Sequence, residues 1–223
     1  MQTITKLKDR VKSWRRGSVS QTSVTRASNK ASTKTNHVRL HRETGDIKEE
    51  FCIDPSREDI RLLAEGHEDS EGDRPKNLDI KAKDGNVELS VDLFLYSSFA
   101  TPPIVMDVQS EKGSVSMELD APNTLMSAAL TLNIHALKEV KLKVPNHRAG
   151  LLKVSAGEVV VKGSLEKNIS IISEYEGKRK YLIGDWCEGQ RLDVYNIQVQ
   201  EGNVNIQFID EHGHAGGGVL IVV

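Results

Sequence analysis

The chain has 223 residues, of which 38% are hydrophobic, 28% charged and 4% aromatic. That suits one large β domain, or one domain plus a tail, and argues against an aromatic stacking platform for single-stranded nucleic acid. The net charge of −2 hides a split: residues 1–42 hold eleven Lys and Arg against Asp9 alone, and the rest holds 19 basic and 31 acidic residues. A basic arm on an acidic body suggests two regions with different tasks.

The arm spans residues 1–36. Ile4, Leu7, Val11 and Trp14 recur at spacings of three and four, which predicts a short amphipathic helix. Lys6, Lys8, Lys12, Arg15 and Arg16 make it basic and suit contact with anionic lipid or another anionic surface. Four apolar anchors make such lipid contact weak. In "RRGSV" (15–19) two arginines precede Ser18, a candidate phosphosite for a basophilic kinase. From Ser18 to Thr35 the composition is that of a disordered segment.

Residues 37–211 read as one all-β domain. "HVRLHRETGDIKEEFCI" predicts two short strands around Thr44–Gly45, and 54–77 an acidic surface loop. A figure then recurs as "KDGNVEL", "EKGSVSM", "SAGEVVV" and "QEGNVNI": a glycine, a residue, then a valine, between alternating apolar runs. Read as hairpins on Gly85, Gly113, Gly157 and Gly202, these units set Ala82 against Val87, Val108 against Met117, Val154 against Val159 and Val199 against Val204. The same register sets Asp107 against Glu118, an unfavourable like-charge pair. The alternative makes Gly45, Gly85, Gly113, Gly157 and Gly202 corners of stacked coils. Then "NIHALKEVKLKVP" is a degenerate copy with Ala136 in the glycine place. The fold expected is a β-solenoid-like or two-layer β-sandwich body, with the choice between hairpins and coils open.

Late in the chain, Gly184, Asp185 and Trp186 read as a turn and a core plug. Residues 212–223 read as a Gly-rich tail, and their run "VLIVV" is too short to span a bilayer. Cys52 and Cys187 read as buried thiols, because no apolar stretch of a secretory signal follows the first basic residues. The protein is therefore expected to be soluble, intracellular and cytoplasmic, or mitochondrial if the arm is a presequence.

Motif chemistry is sparse. His37 and His41, and His212 and His214, are paired by spacing, but no Cys, Asp or Glu set completes a metal site. There is no G-x-S-x-G, H-E-x-x-H, C-x-x-C or phosphate-binding loop. Alternation puts most carboxylates, among them Asp92, Asp107, Glu118 and Asp120, on the solvent face, and selects no acid pair for hydrolysis. No catalytic residue, cofactor or metal is expected.

"VRLHRETGDIKEEFCIDP", "KNLDIKAKDGNVELSV", "LKVPNHRAGLLKVSAGEVVV", "SEYEGKRKYLIGDW" and "GNVNIQFIDE" together resemble an uncharacterised all-β domain family of fungal proteins. Its members repeat a T/S-x-G-x-V strand–turn unit and carry a late Gly-Asp-Trp segment. The family is distantly similar to adhesin-like β domains of bacteria. The resemblance implies a fold and no activity. The expected function is a non-catalytic β-scaffold or adhesin-like interaction module with a protein partner, without sequence-specific nucleic-acid binding. The alternatives are a peripheral protein held to an anionic surface by the arm, and a hydrolase with an unrecognised carboxylate site.

Overall fold

Alternating apolar and polar residues run through segment after segment, and each becomes a strand with one buried face. The computed structural model describes residues 34–56, 76–94, 103–121, 128–145, 147–148, 150–163, 169–184, 192–209 and 221–222. Fifteen strands occur among them: β1 (Val38–Thr44), β2 (Ile47–Ile53), β3 (Leu78–Asp84), β4 (Val87–Leu93), β5 (Ile104–Ser110), β6 (Val115–Asp120), β7 (Leu130–Ala136), β8 (Val140–Pro145), β9 (Gly150–Ser155), β10 (Glu158–Gly163), β11 (Ile169–Tyr175), β12 (Lys178–Ile183), β13 (Asp193–Val199), β14 (Asn203–Ile209) and β15 (Ile221–Val222).

They form an eight-stranded sheet, β1-β3-β5-β7-β13-β9-β12-β11, and a seven-stranded sheet, β15-β10-β14-β8-β6-β4-β2. The two strands flanking each glycine lie in different sheets. Their ladder partners are the equivalent strands of neighbouring units, in parallel: Ile80 pairs with Val108 and Leu89 with Met117. The open choice thus resolves as stacked coils of two strands each. Asp107 no longer faces Glu118: it lies level with Asp79 and Asn133 and pairs with Lys76, and Glu118 lies level with Lys143 and pairs with it. The inward residues of both sheets make one core, including Leu78, Ile104, Met106, Leu130, Val140, Tyr195 and Phe208.

The repeated figure builds the corner between the sheets. A Cβ on Gly85 would overlap the Gly45 carbonyl oxygen, one on Gly113 that of Gly85, and one on Gly202 that of Lys138. Coils at strand spacing leave no side-chain room there. The small polar residue after the glycine links one coil to the next: Asp46 Oδ1 accepts the Asn86 N–H at 2.6 Å, and Asn86 Oδ1 accepts the Ser114 N–H at 3.0 Å. The valine or isoleucine that follows is buried, as at Ile47, Val87 and Val115. In the β7–β8 unit the glycine place belongs to Lys138, two residues before Val140, and the Lys138 N–H donates to the Gly113 carbonyl at 3.1 Å. Ala136 instead pairs with Ser110 at the end of a strand and is buried, which corrects the sequence reading. A two-residue hairpin turn with positive φ at both central positions occurs at Glu176–Gly177 (φ 48° and 71°), between the antiparallel strands β11 and β12.

Coil order follows chain order from β1–β2 to β7–β8, then departs from it. The β13–β14 coil lies between β7–β8 and β9–β10. A buried polar cluster sits at this departure. Arg148, in the β8–β9 connection, donates from Nε to Asp193 Oδ2 at 2.5 Å, and from Nη2 to Asp193 Oδ1 at 2.7 Å and the Ala128 carbonyl at 2.8 Å. Asp193 Oδ1 also accepts the Leu130 N–H at 2.9 Å, and Asp193 Oδ2 accepts the Tyr195 hydroxyl at 3.2 Å. Burial opposes the Arg148 charge, but the hydrogen bonds and field of Asp193 outweigh it and raise its pKa. Burial pushes the Tyr195 phenol well above the ordinary value, with the Asp193 charge adding to the effect. Asp193 thus ties the connection to the first residue of β7 and the start of β13.

The ends of the stack carry charge at inward positions. Arg42 and Glu49 stand level with the buried Ala82 and Leu89. At the other end Arg179, level with Val154, donates to Glu174 at 2.9 Å. Polar end layers keep a stack from adding further copies. Thr35 bridges to Ile53 beside β2. Ile221–Val222 supplies β15, paired with Val160 and Val161 on the outer edge of β10.

Gly202→Ala should lower stability by about 1–3 kcal/mol through overpacking against backbone. Gly157→Ala, whose Cβ would lie 3.4 Å from the Gly202 oxygen, should stay within about 0.5 kcal/mol. Thermal melts of the two variants test the corner. Arg148→Met strands a buried carboxylate and should cost about 3–5 kcal/mol, read as the urea midpoint, with part recovered by adding Asp193→Leu.

Candidate functional site

Outward-facing side chains on parallel strands in register form straight rows across a sheet. On the eight-stranded sheet one row runs Asp107, Asn133, Asn196, Lys153 and Lys180 over β5, β7, β13, β9 and β12. The next runs Gln109, His135, Gln198, Ser155 and Lys178. Together they line an open groove of about 760 Å³.

The first row is a directed ladder. Asn133 Nδ2 donates to Asp107 Oδ1 at 2.5 Å, and Asn196 Nδ2 donates to Asn133 Oδ1 at 2.7 Å. Lys76 neutralises Asp107 at 2.8 Å. In the second row His135 Nε2 lies 3.1 Å from Gln200 Nε2. The β9 and β12 side of the groove is different. Lys180 stands directly across from Lys153, with Lys178 two positions along β12, and none of the three has a carboxylate partner among the described residues. Of the other described lysines, Lys48, Lys76, Lys81, Lys83, Lys112, Lys141 and Lys143 each pair with one, whereas Lys138 and Lys162 stand singly outside the groove. Like charges set opposite each other are unfavourable, so this corner of the sheet sacrifices some stability.

This groove was not singled out from the sequence. Its members come from residues 107 to 198, and their rows exist only once the coil order is known. The alternation was visible in each strand; the adjacency of Lys153 and Lys180 was not.

The residues that the sequence did single out fall elsewhere. Gly45, Gly85, Gly113, Gly157 and Gly202 lie at the corners, and Gly184 follows β12 with φ 80°. Asp185, Trp186, Cys187, Ser18, Lys6, Lys8, Lys12, Arg15, Arg16, His212 and His214 lie outside the described residues, as does most of the acidic loop. Cys52 is buried with a free thiol. His37 Nδ1 meets the Lys76 carbonyl, and His41 pairs with Asp79 at 3.4 Å, so the two imidazoles serve separate contacts. No cluster of His, Cys, Asp or Glu among the described residues could hold a metal ion, and no helix among them is long and apolar enough to cross a membrane. Asp92, Glu118 and Asp120 lie on the outer face of the seven-stranded sheet, away from the groove. Burial, then Asp120, Glu50 and Glu118, raises the Asp92 pKa.

Two facing sheets of mostly parallel strands, turned at glycine corners and bearing side-chain rows on an open outer face, define an all-β stacked-strand domain. The chain belongs to the family described as domain of unknown function DUF7330, whose model matches residues 36–211. No curated protein and no solved structure matches it.

Replacing Lys180 by Glu turns a like-charge pair into an ion pair with Lys153. The substitution should raise stability by about 0.2–1 kcal/mol, seen as a higher melting temperature at low salt and a smaller gain at high salt.

Proposed function

We propose that this protein is a non-catalytic scaffold and interaction module, and that it recognises its partner on the outer face of the eight-stranded sheet. The observation that carries this reading is the groove over β5, β7, β13, β9 and β12, lined by amide and imidazole groups and by ammonium groups with no carboxylate partner among the described residues. Asn and Gln each offer both donors and an acceptor, so such rows can meet a polar surface without moving backbone. The resemblance to fungal domains with adhesin-like relatives in bacteria supports the same class.

The hydrolase alternative draws less support from this face. The lining contains one carboxylate, Asp107, held by Lys76 and Asn133, whereas glycoside hydrolysis in its usual form needs two flanking the bond. The peripheral-membrane alternative rests on Lys6, Lys8, Lys12, Arg15 and Arg16 of the arm, which lie outside the described residues.

Site-specific photocrosslinking in cells tests the module reading. A benzoylphenylalanine at Gln198, in the groove, should yield partner adducts several-fold above one at Gln207 on the opposite sheet. Equal adducts from both positions, or adducts only from residues 1–36, would overturn the assignment of the face.

A further inference from the structure

We infer that the groove binds an acidic polysaccharide, with the anionic groups on Lys153, Lys178 and Lys180 and the hydroxyls on the Asn133 and Asn196 ladder. The inference rests on the interaction-module reading and names its ligand class. Three lines converge on it. The three lysines hold positive charge without a carboxylate partner among the described residues, on a body whose acidic residues outnumber basic ones, 31 to 19, from residue 43 onward. A cross-strand Lys–Lys pair costs stability unless something anionic spans it. The positive end also continues into uncharged amides along one straight row. A chain lying across the strands meets one side chain per strand, about every 4.8 Å. Its carboxylates or sulfates would sit on the ammonium groups, and each neutral hydroxyl would find an amide able to donate and accept. An acidic peptide could also meet the lysines with its carboxylates and the amides with its backbone, so poly-glutamate is the competing probe.

Fluorescence anisotropy on the full chain tests this with three labelled probes: an oligogalacturonate, a heparin-derived oligosaccharide and poly-glutamate. A neutral cello-oligosaccharide is the control. The expected result is binding of one or both acidic glycans, weakened at least tenfold by K153Q/K178Q/K180Q and by K180E. Binding should also weaken as salt rises. Because the arm is itself basic, a second full-length variant, K6Q/K8Q/K12Q/R15Q/R16Q, must keep the binding. Loss in the arm variant with retention in the groove variant would overturn the inference. So would tight binding of poly-glutamate with none of either glycan, or no binding of any acidic probe. These results can be told apart from failure of the module reading, because photocrosslinks from Gln198 would persist if the groove takes another ligand and vanish if it takes none.

Discussion

Backbone-to-backbone approach at one corner sets the spacing of everything else. Parallel coils can stack in register only if successive turns come as close as successive strands, about 4.8 Å. At Gly85, Gly113 and Gly202 the carbonyl of the neighbouring turn occupies the volume a Cβ would need. Given that approach, every layer repeats the last, and residues at equivalent positions fall into rows. Inner rows become a continuous apolar core, and outer rows become ladders of amides and ion pairs. Lys138 keeps the same level with a side chain, and the coil above it then requires glycine at 202.

The magnitudes rank the contributions. Each buried Val, Ile or Leu is worth about 1.5–3 kcal/mol, and the core holds dozens of apolar side chains. The exposed Lys–Glu ladders, such as Lys48–Glu88 and Lys143–Glu118, are worth about 0–1 kcal/mol apiece. They select register more than they add stability. The Arg148–Asp193 pair is of another kind. It is buried, so its value lies in where it holds the chain: one carboxylate gathers the start of β7, the β8–β9 connection and Tyr195.

Alternation and turn chemistry made much of the fold legible. Alternation alone sets Ala82, Val108, Val154 and Val204 on the inward face, and all four are buried. The pairing was harder to read, because a hairpin and a coil share the same inward pattern. The like charges of Asp107 and Glu118 held the clue, since each has a separate partner once the strands run parallel. The exchange of coil order left no local trace: Arg148 and Asp193 lie 45 residues apart, and neither sits in a recognisable motif. The groove was hidden for the same reason. Lysines on β9 and β12 look like ordinary solvent-facing residues until the antiparallel register sets Lys180 beside Lys153.

The out-of-order coil has a consequence for how the molecule is made. The four layers from β1 to β8 can settle one upon another as the polypeptide leaves the ribosome, because each finds its neighbour already present. β9–β10 cannot join them, since its native neighbours β13 and β14 are still untranslated. Until the last segment arrives, this layer can close only on β12 and β11, the strands next to it in synthesis. Completion then requires insertion into a gap instead of addition at a growing tip, which makes the final assembly step a closure between two preformed halves.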